Sequence, residues 1–249
     1  MSKKTDKNSY TIIFAVIMVI VVGSLLAGVA QGLKSKITLN ERFEKMQNIL
    51  YAMGVNDNEG DGDISFISTD KVEEAFSKYI TKQLVIQGEE VTEDSEAYLI
   101  DIKQEEAKAK DPNYKRRLPL FVGEKDGKTL YVIPMRGKGL WDAIWGFVAV
   151  DQSLVVQGVF FDHAGETPGL GAEIKQRYFM DDFTGEHILD GDTFKGITVA
   201  KGNNDPVNEN KTDNKVDAIA GATITGDGVT AMIKKDMRMY LPYLKSLNQ

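Results

Sequence analysis

Residues 118–135, LPLFVGEKDGKTLYVIPM, decide the fold. Two apolar runs, 118–122 and 129–133, flank Asp126-Gly127, and that dipeptide between strand-like segments is the strongest short-range signal for a β-hairpin. Residues 144–150 and 154–161 repeat the arrangement across Asp151-Gln152-Ser153, so the middle of the chain predicts an antiparallel sheet.

Helices are expected on both sides of that sheet. Toward the C-terminus a helix is predicted over 173–183, then a polar loop over 202–214. Val229, Ile233, Met237, Tyr240 and Leu244 then mark a final helix that Pro242 is placed to kink. Toward the N-terminus, 98–102 and 84–86 read as strands, and 104–111 as a charged helix ended by Pro112. A short strand at 64–67 precedes a helix capped at Ser68 or Thr69, with Val72, Phe76 and Tyr79 on one face. Asp57, Glu59 and Asp61 alternate before Gly62 as in a calcium loop, yet Ser68 stands where the bidentate glutamate belongs, and a solvated turn is the simpler reading. Leu39, Phe43, Met46, Leu50 and Met53 follow helical spacing up to a stop at Gly54.

The N-terminus departs from an average soluble chain. Residues 12–30 are nineteen residues without a charge, inside an uncharged stretch over 8–33, enough to span a hydrocarbon core of about 30 Å. The twelve Leu, Ile, Val and Phe residues of that run contribute roughly −4 to −7 kcal/mol on the insertion scale, so insertion is favoured. A cleavable signal peptide, with Lys3, Lys4 and Lys7 as its basic region, competes with this reading, but its apolar region would exceed the usual length of about 7–15 residues. Ser24, Gly28 and Gly32 recur every four residues, a spacing suited to helix packing in lipid. Lysines on both flanks leave the orientation undecided. The organisation expected is an N-terminal tail (1–10), a transmembrane helix (11–33), a connecting amphipathic helix (34–55) and one α+β domain (56–249) with an antiparallel sheet and flanking helices.

Composition narrows the chemistry. The chain has 249 residues, a net charge of −7 and no cysteine, so disulfides, thiolate nucleophiles and Cys-ligated metal or iron–sulfur centres held by this chain alone are excluded. With only His163 and His187, a multi-histidine metal site is not expected. Residues 37–249 carry 25 basic against 36 acidic side chains, which argues against a nucleic-acid-binding face. Gly137-x-Gly139 and Gly169-x-Gly171 both lack the third glycine of a dinucleotide fingerprint, no phosphate-binding P-loop occurs, and no direct NADH binding is expected.

Three glycine-rich clusters remain, at 136–141 (RGKGLW), 163–171 (HAGETPGLG) and 217–225 (DAIAGATIT). In the third, Gly221 and Ala222 remove side-chain bulk just before a helix whose first N–H groups and dipole favour a phosphate, while Thr223 and Thr225 add hydroxyls. The plainer alternative is a glycine turn with an N-cap at Thr225 or Asp227. Trp141 reads equally as core packing or as part of a ligand site.

Taken together, the clusters resemble those of the covalent FMN-binding C subunits of bacterial sodium-translocating NADH:quinone reductases, and of the related G subunits of Rnf electron-transport complexes. That family carries an Asp-x-x-[Ser/Thr]-Gly-Ala-Thr motif, matched here by Asp217, Gly221, Ala222 and Thr223, with Ala220 in place of the hydroxyl residue. The resemblance implies FMN linked through its phosphate to Thr223 by a flavin transferase, with Thr225 as the alternative acceptor. It further implies Trp141 and Leu170 as apolar walls for the ring, Glu166 and Thr167 as polar contacts, and Gly139, Leu140 and Gly169 as neighbouring site residues. It also implies an electron-transfer subunit of an inner-membrane complex that couples NADH oxidation and quinone reduction to Na+ translocation, partnered by the other subunits, with its large domain periplasmic. An Rnf-type subunit, or an anchored domain that binds a phosphate ligand without redox activity, are the alternatives.

Overall fold

Asp126 and Gly127 both sit at positive φ, 51° and 75°, and join β3 (Leu118–Lys125) to β4 (Lys128–Lys138) in the tight turn that a two-residue hairpin requires. The computed structural model describes residues 8–60, 62–202, 205 and 208–247. β5 (Ala143–Val150) and β6 (Val156–His163) continue the sheet on one side, β1 (Ile80–Gln87) and β2 (Glu90–Glu93) on the other. The order is β2-β1-β3-β4-β5-β6 and every pairing is antiparallel.

Register assigns the two faces. Val132 pairs with Phe121 on β3 and Ala149 on β5, and Ala149 pairs with Gly158 on β6, so these residues share one face. On that face the end of α1 (Asn8–Ala52) packs so closely that a Cβ at Gly158 would lie 2.6 Å from the Ala52 carbonyl, and Tyr51, Phe66 and Phe160 form an aromatic cluster. Met135, Gly146 and Phe161 share the opposite face, where Phe161 meets Phe179 and Phe183 around α4 (Arg177–Asp181). Gly137 belongs to this second face, and a Cβ there would lie 2.8 Å from Met232 of α5 (Thr223–Ser246). The sheet is thus covered on both sides, and the core is Ile133, Ile144, Phe161, Phe179, Phe183, Ile233 and their neighbours.

Before α5, β9 (Thr198–Ala200) pairs in parallel with β10 (Lys215–Asp217), which delivers Asp217 and the turn leading into the helix; β7 (Leu189–Asp190) and β8 (Thr193–Phe194) make a small hairpin. α5 runs through Pro242, so the helix predicted from its apolar stripe is longer than the stripe itself.

Several expected elements take a different form. Residues 98–102 are not a strand: Ala97–Leu99 is a 3-10 turn, and the Asp101 carboxylate accepts from the Gln104 N–H and caps α3 (Ile102–Lys108). The partner of β1 is β2 instead, reached through Gly88 at φ 69°. Residues 64–67 join no sheet; the Ser65 and Ile67 carbonyls accept from the Asp57 N–H and the Gln47 amide. α2 (Val72–Tyr79) starts after Lys71 without a side-chain cap from Ser68 or Thr69. The helix expected over 173–183 is a 3-10 turn (Gly171–Lys175) and α4, separated by the extended Gln176.

Two compact units divide the chain, residues up to Phe43 and residues from Glu44. The described residues of the first are helix, and residues 8–39 are exposed throughout; α1 is long and apolar enough to cross a membrane. The division falls within the segment read as a connecting helix, since Met46 and Ile49–Ala52 are already buried in the second unit, and α1 is continuous through 34–52. Lys3, Lys4, Lys7, Asp61 and part of the loop at 202–214 lie outside the described residues.

Candidate functional site

The three glycine clusters meet at one corner of the second unit, and a single carboxylate joins them. Glu166 is buried, and its oxygens accept four hydrogen bonds: from the Trp141 N–H (2.9 Å), the Leu140 and Asp142 N–H groups (3.3 Å each) and the Thr225 hydroxyl (2.6 Å). Burial alone would raise its pKa, but the Thr225 hydroxyl and the three N–H groups hold it below the ordinary carboxylate value, so it stays ionised. Glu166 in turn is set by His163, whose Nδ1 accepts the Glu166 N–H.

Glycines give this carboxylate its clearance. A Cβ at Gly139 would lie 2.6 Å from Oε1 of Glu166, and one at Gly171 would lie 2.5 Å from both Oε2 of Glu166 and Oγ1 of Thr225. A Cβ at Gly228 would strike the Lys138 carbonyl, so α5 also requires glycine to approach the end of β4. Gly221 links the second and third clusters: its φ is 77°, and a Cβ there would lie 2.7 Å from Cδ2 of Leu170. Gly169, at φ 75°, turns the chain so that its N–H meets the Glu173 carboxylate and leaves Leu170 outward.

The two threonines differ sharply. Thr225 is 1% exposed and its hydroxyl is committed to Glu166. Thr223, the first residue of α5, is exposed. The N-cap position is Ala222, which offers no side-chain acceptor, so the N–H groups of the first turn of α5 remain available to an anion. Ala222 is buried and its N–H bonds the Ile219 carbonyl, which closes the turn before the helix. Asp217 is half-buried at the end of β10.

Trp141 is 67% exposed, so it is not a core residue; its indole N–H donates to the Thr167 hydroxyl at 3.2 Å. Leu140, Leu170 and Ile224 are also exposed. Large apolar side chains left in water beside a hydroxyl and an uncapped helix end suit a ligand with a planar apolar ring and a phosphate, the two ends of FMN. The residues present therefore fit the cofactor.

Sequence reasoning missed Asp236, which lies fully buried on the apolar stripe of α5. Its Oδ2 accepts the Arg136 N–H at 2.8 Å, and Arg116 and Lys235 lie within 3.6 Å of Oδ1, so it pins the end of β4 to the helix that carries Thr223. A carboxylate three residues after Ile233 in that stripe was the available signal.

This sheet with its glycine-rich corner is that of an FMN-binding domain, and the family profile described as FMN-binding domain matches residues 139–237. A crystal structure of the Na(+)-translocating NADH-quinone reductase C subunit from Parabacteroides distasonis superposes with a TM-score of 0.70 at 30% identity, covering 85% of this chain and 96% of that one. Shewanella oneidensis NqrC superposes with a TM-score of 0.64 at 25% identity, covering 83% of this chain and 99% of that one. The Na(+)-translocating NADH-quinone reductase C subunit of Neisseria meningitidis serogroup B is 29% identical over 259 residues, covering 99% of this chain and 98% of that protein. The chain belongs to the family of Na(+)-translocating NADH-quinone reductase C subunits.

Proposed function

We propose that this chain is the electron-transfer subunit that carries covalent FMN in a Na(+)-translocating NADH-quinone reductase, with the flavin phosphate esterified to Thr223. Family membership supports the cofactor and the complex. The observation that carries the residue assignment is the contrast between an exposed Thr223 on an uncapped helix end and a buried Thr225 whose hydroxyl is taken. These relatives bear the quinone-reductase name, and neither the Rnf-type nor the scaffold reading is carried further.

Maturation needs FAD and a flavin transferase. Oγ of Thr223 bonds to the FMN-side phosphorus, the bridging P–O bond breaks, AMP leaves and the hydroxyl proton is released. The N–H groups of the first turn of α5, which have no side-chain cap, would hold the phosphate. Trp141, whose indole is held by Thr167, and Leu170 would supply the apolar wall for the ring. The bound flavin supplies reversible electron transfer, and the chain places it at an exposed corner where redox groups of other subunits can approach.

α1 is the membrane anchor and the domain is periplasmic in this reading. Full-length protein co-produced with a flavin transferase is expected to be yellow and fluorescent after denaturing electrophoresis. Colourless protein would refute the flavin reading. For Asp217, substitution by Asn is expected to abolish flavinylation with little change in stability; normal flavinylation would remove any necessary role for its carboxylate.

A further inference from the structure

We propose that Glu166 and Thr225 form a clamp that fixes the acceptor turn of α5 against the Trp141 loop, making Glu166 a positioning residue that acts through Thr225 rather than a contact of the flavin ring. The inference rests on the reading that Thr223 carries the flavin. A carboxylate offers about four lone-pair sites, and all are used here by the N–H groups of Leu140, Trp141 and Asp142 and the hydroxyl of Thr225. No acceptor capacity is left for a ligand. The pocket around the carboxylate is equally full, because even a Cβ at Gly139 or Gly171 would collide with it.

Helix geometry makes the consequence specific. Residues two apart on a helix differ by roughly 200° in direction. Holding Thr225 inward on Glu166 therefore holds Thr223 outward, and a rotation of the first turn that released Thr225 would bury or misaim the Thr223 hydroxyl. The same carboxylate gathers three consecutive N–H groups of the loop that carries Trp141, so the acceptor and the apolar wall hang on one group. Both are separated from Glu166 in sequence, Thr225 by 59 residues and Trp141 by 25, which is why a side chain rather than local backbone must join them.

The test uses the full chain with a flavin transferase and FAD, reading the initial rate of FMN addition by intact mass, the modified residue by peptide mass, and the unfolding temperature. Thr225→Val keeps the branched shape and removes the hydroxyl; flavinylation of Thr223 should slow on the order of tenfold to a hundredfold, as expected when an attacking group is misplaced by about 1 Å. Thr225→Ser should restore the rate to near that of the parent chain. Glu166→Gln is the second variant: its carbonyl oxygen can keep the Trp141 and Asp142 N–H groups and its amide can donate to Thr225, while the Leu140 N–H loses its acceptor, so it should fold and slow flavinylation less than Thr225→Val. A Thr225→Val chain flavinylated at Thr223 at the parent rate would overturn the clamp. A Thr225→Ser chain as slow as Thr225→Val, with the same unfolding temperature as the parent, would overturn it too. Absence of FMN from Thr223 in the parent chain would instead overturn the flavin assignment itself.

Discussion

Glu166 and Glu186 are both buried carboxylates on segments that follow β6, but the protein receives them in opposite ways. Glu166 accepts four hydrogen bonds and stays ionised. Among the described residues Glu186 has one side-chain donor, the Asn208 amide at 3.1 Å, and its Oε2 has no partner. Burial, opposed only in part by Asn208 and Lys211 and reinforced by Asp213 and Asp205, pushes its pKa up to about 7. The difference shows what convergent donors do. Where four meet on one carboxylate the chain keeps a buried charge and gains a fixed corner. Where one reaches it, the group is held near neutrality and the contact depends on pH.

The sharpest way to break the comparison is to remove the fully hydrogen-bonded member. Glu166→Ala strands three loop N–H groups and a hydroxyl, and should destabilise the domain by roughly 2–4 kcal/mol in denaturant unfolding while lowering flavin content. A loss below about 0.5 kcal/mol would mean that the donors find water and the corner is not fixed by this group.

Gly228→Ala probes the same corner through its packing. The added Cβ would meet the Lys138 carbonyl, and overpacking against backbone should cost about 1–3 kcal/mol. Unchanged stability would show that α5 and β4 can part without penalty.

Glu186→Gln has the smallest expected effect near pH 5 and a larger one above neutrality. In the unfolded chain the carboxyl titrates near its ordinary value of 4.5, and in the folded chain near 7. Its contribution to stability is therefore full below about pH 4.5 and lost as pH rises through 7. The parent chain should lose on the order of 1–3 kcal/mol more than the Gln variant between pH 5 and pH 8 in urea unfolding. Parallel pH profiles would show that Glu186 is ionised in the fold.

Much of this architecture was legible in local sequence. Asp126-Gly127 announced the hairpin because a tight turn needs positive φ at both positions, and the Val229 to Leu244 spacing announced α5. The three glycine clusters stood out as candidates, and the motif pointed to Thr223. What sequence did not show is how the clusters are joined, because Glu166 and Thr225 meet only after the sheet and helix have folded together. Glu166, expected as a polar contact of the ring, accepts from the Trp141 loop and from Thr225, and Thr225, the alternative for the linkage, gives its hydroxyl to that contact. β2 was missed because Glu90–Glu93 is exposed throughout and lacks an apolar face, and Asp236 because a buried ion cluster leaves only a break in an apolar stripe.

The central question is which hydroxyl carries the flavin. Full-length protein made with a flavin transferase, digested and analysed by tandem mass spectrometry, should give one flavopeptide with the FMN phosphoryl group on Thr223 and Thr225 unmodified. FMN on Thr225, or a flavin that leaves the chain on denaturation, would contradict it.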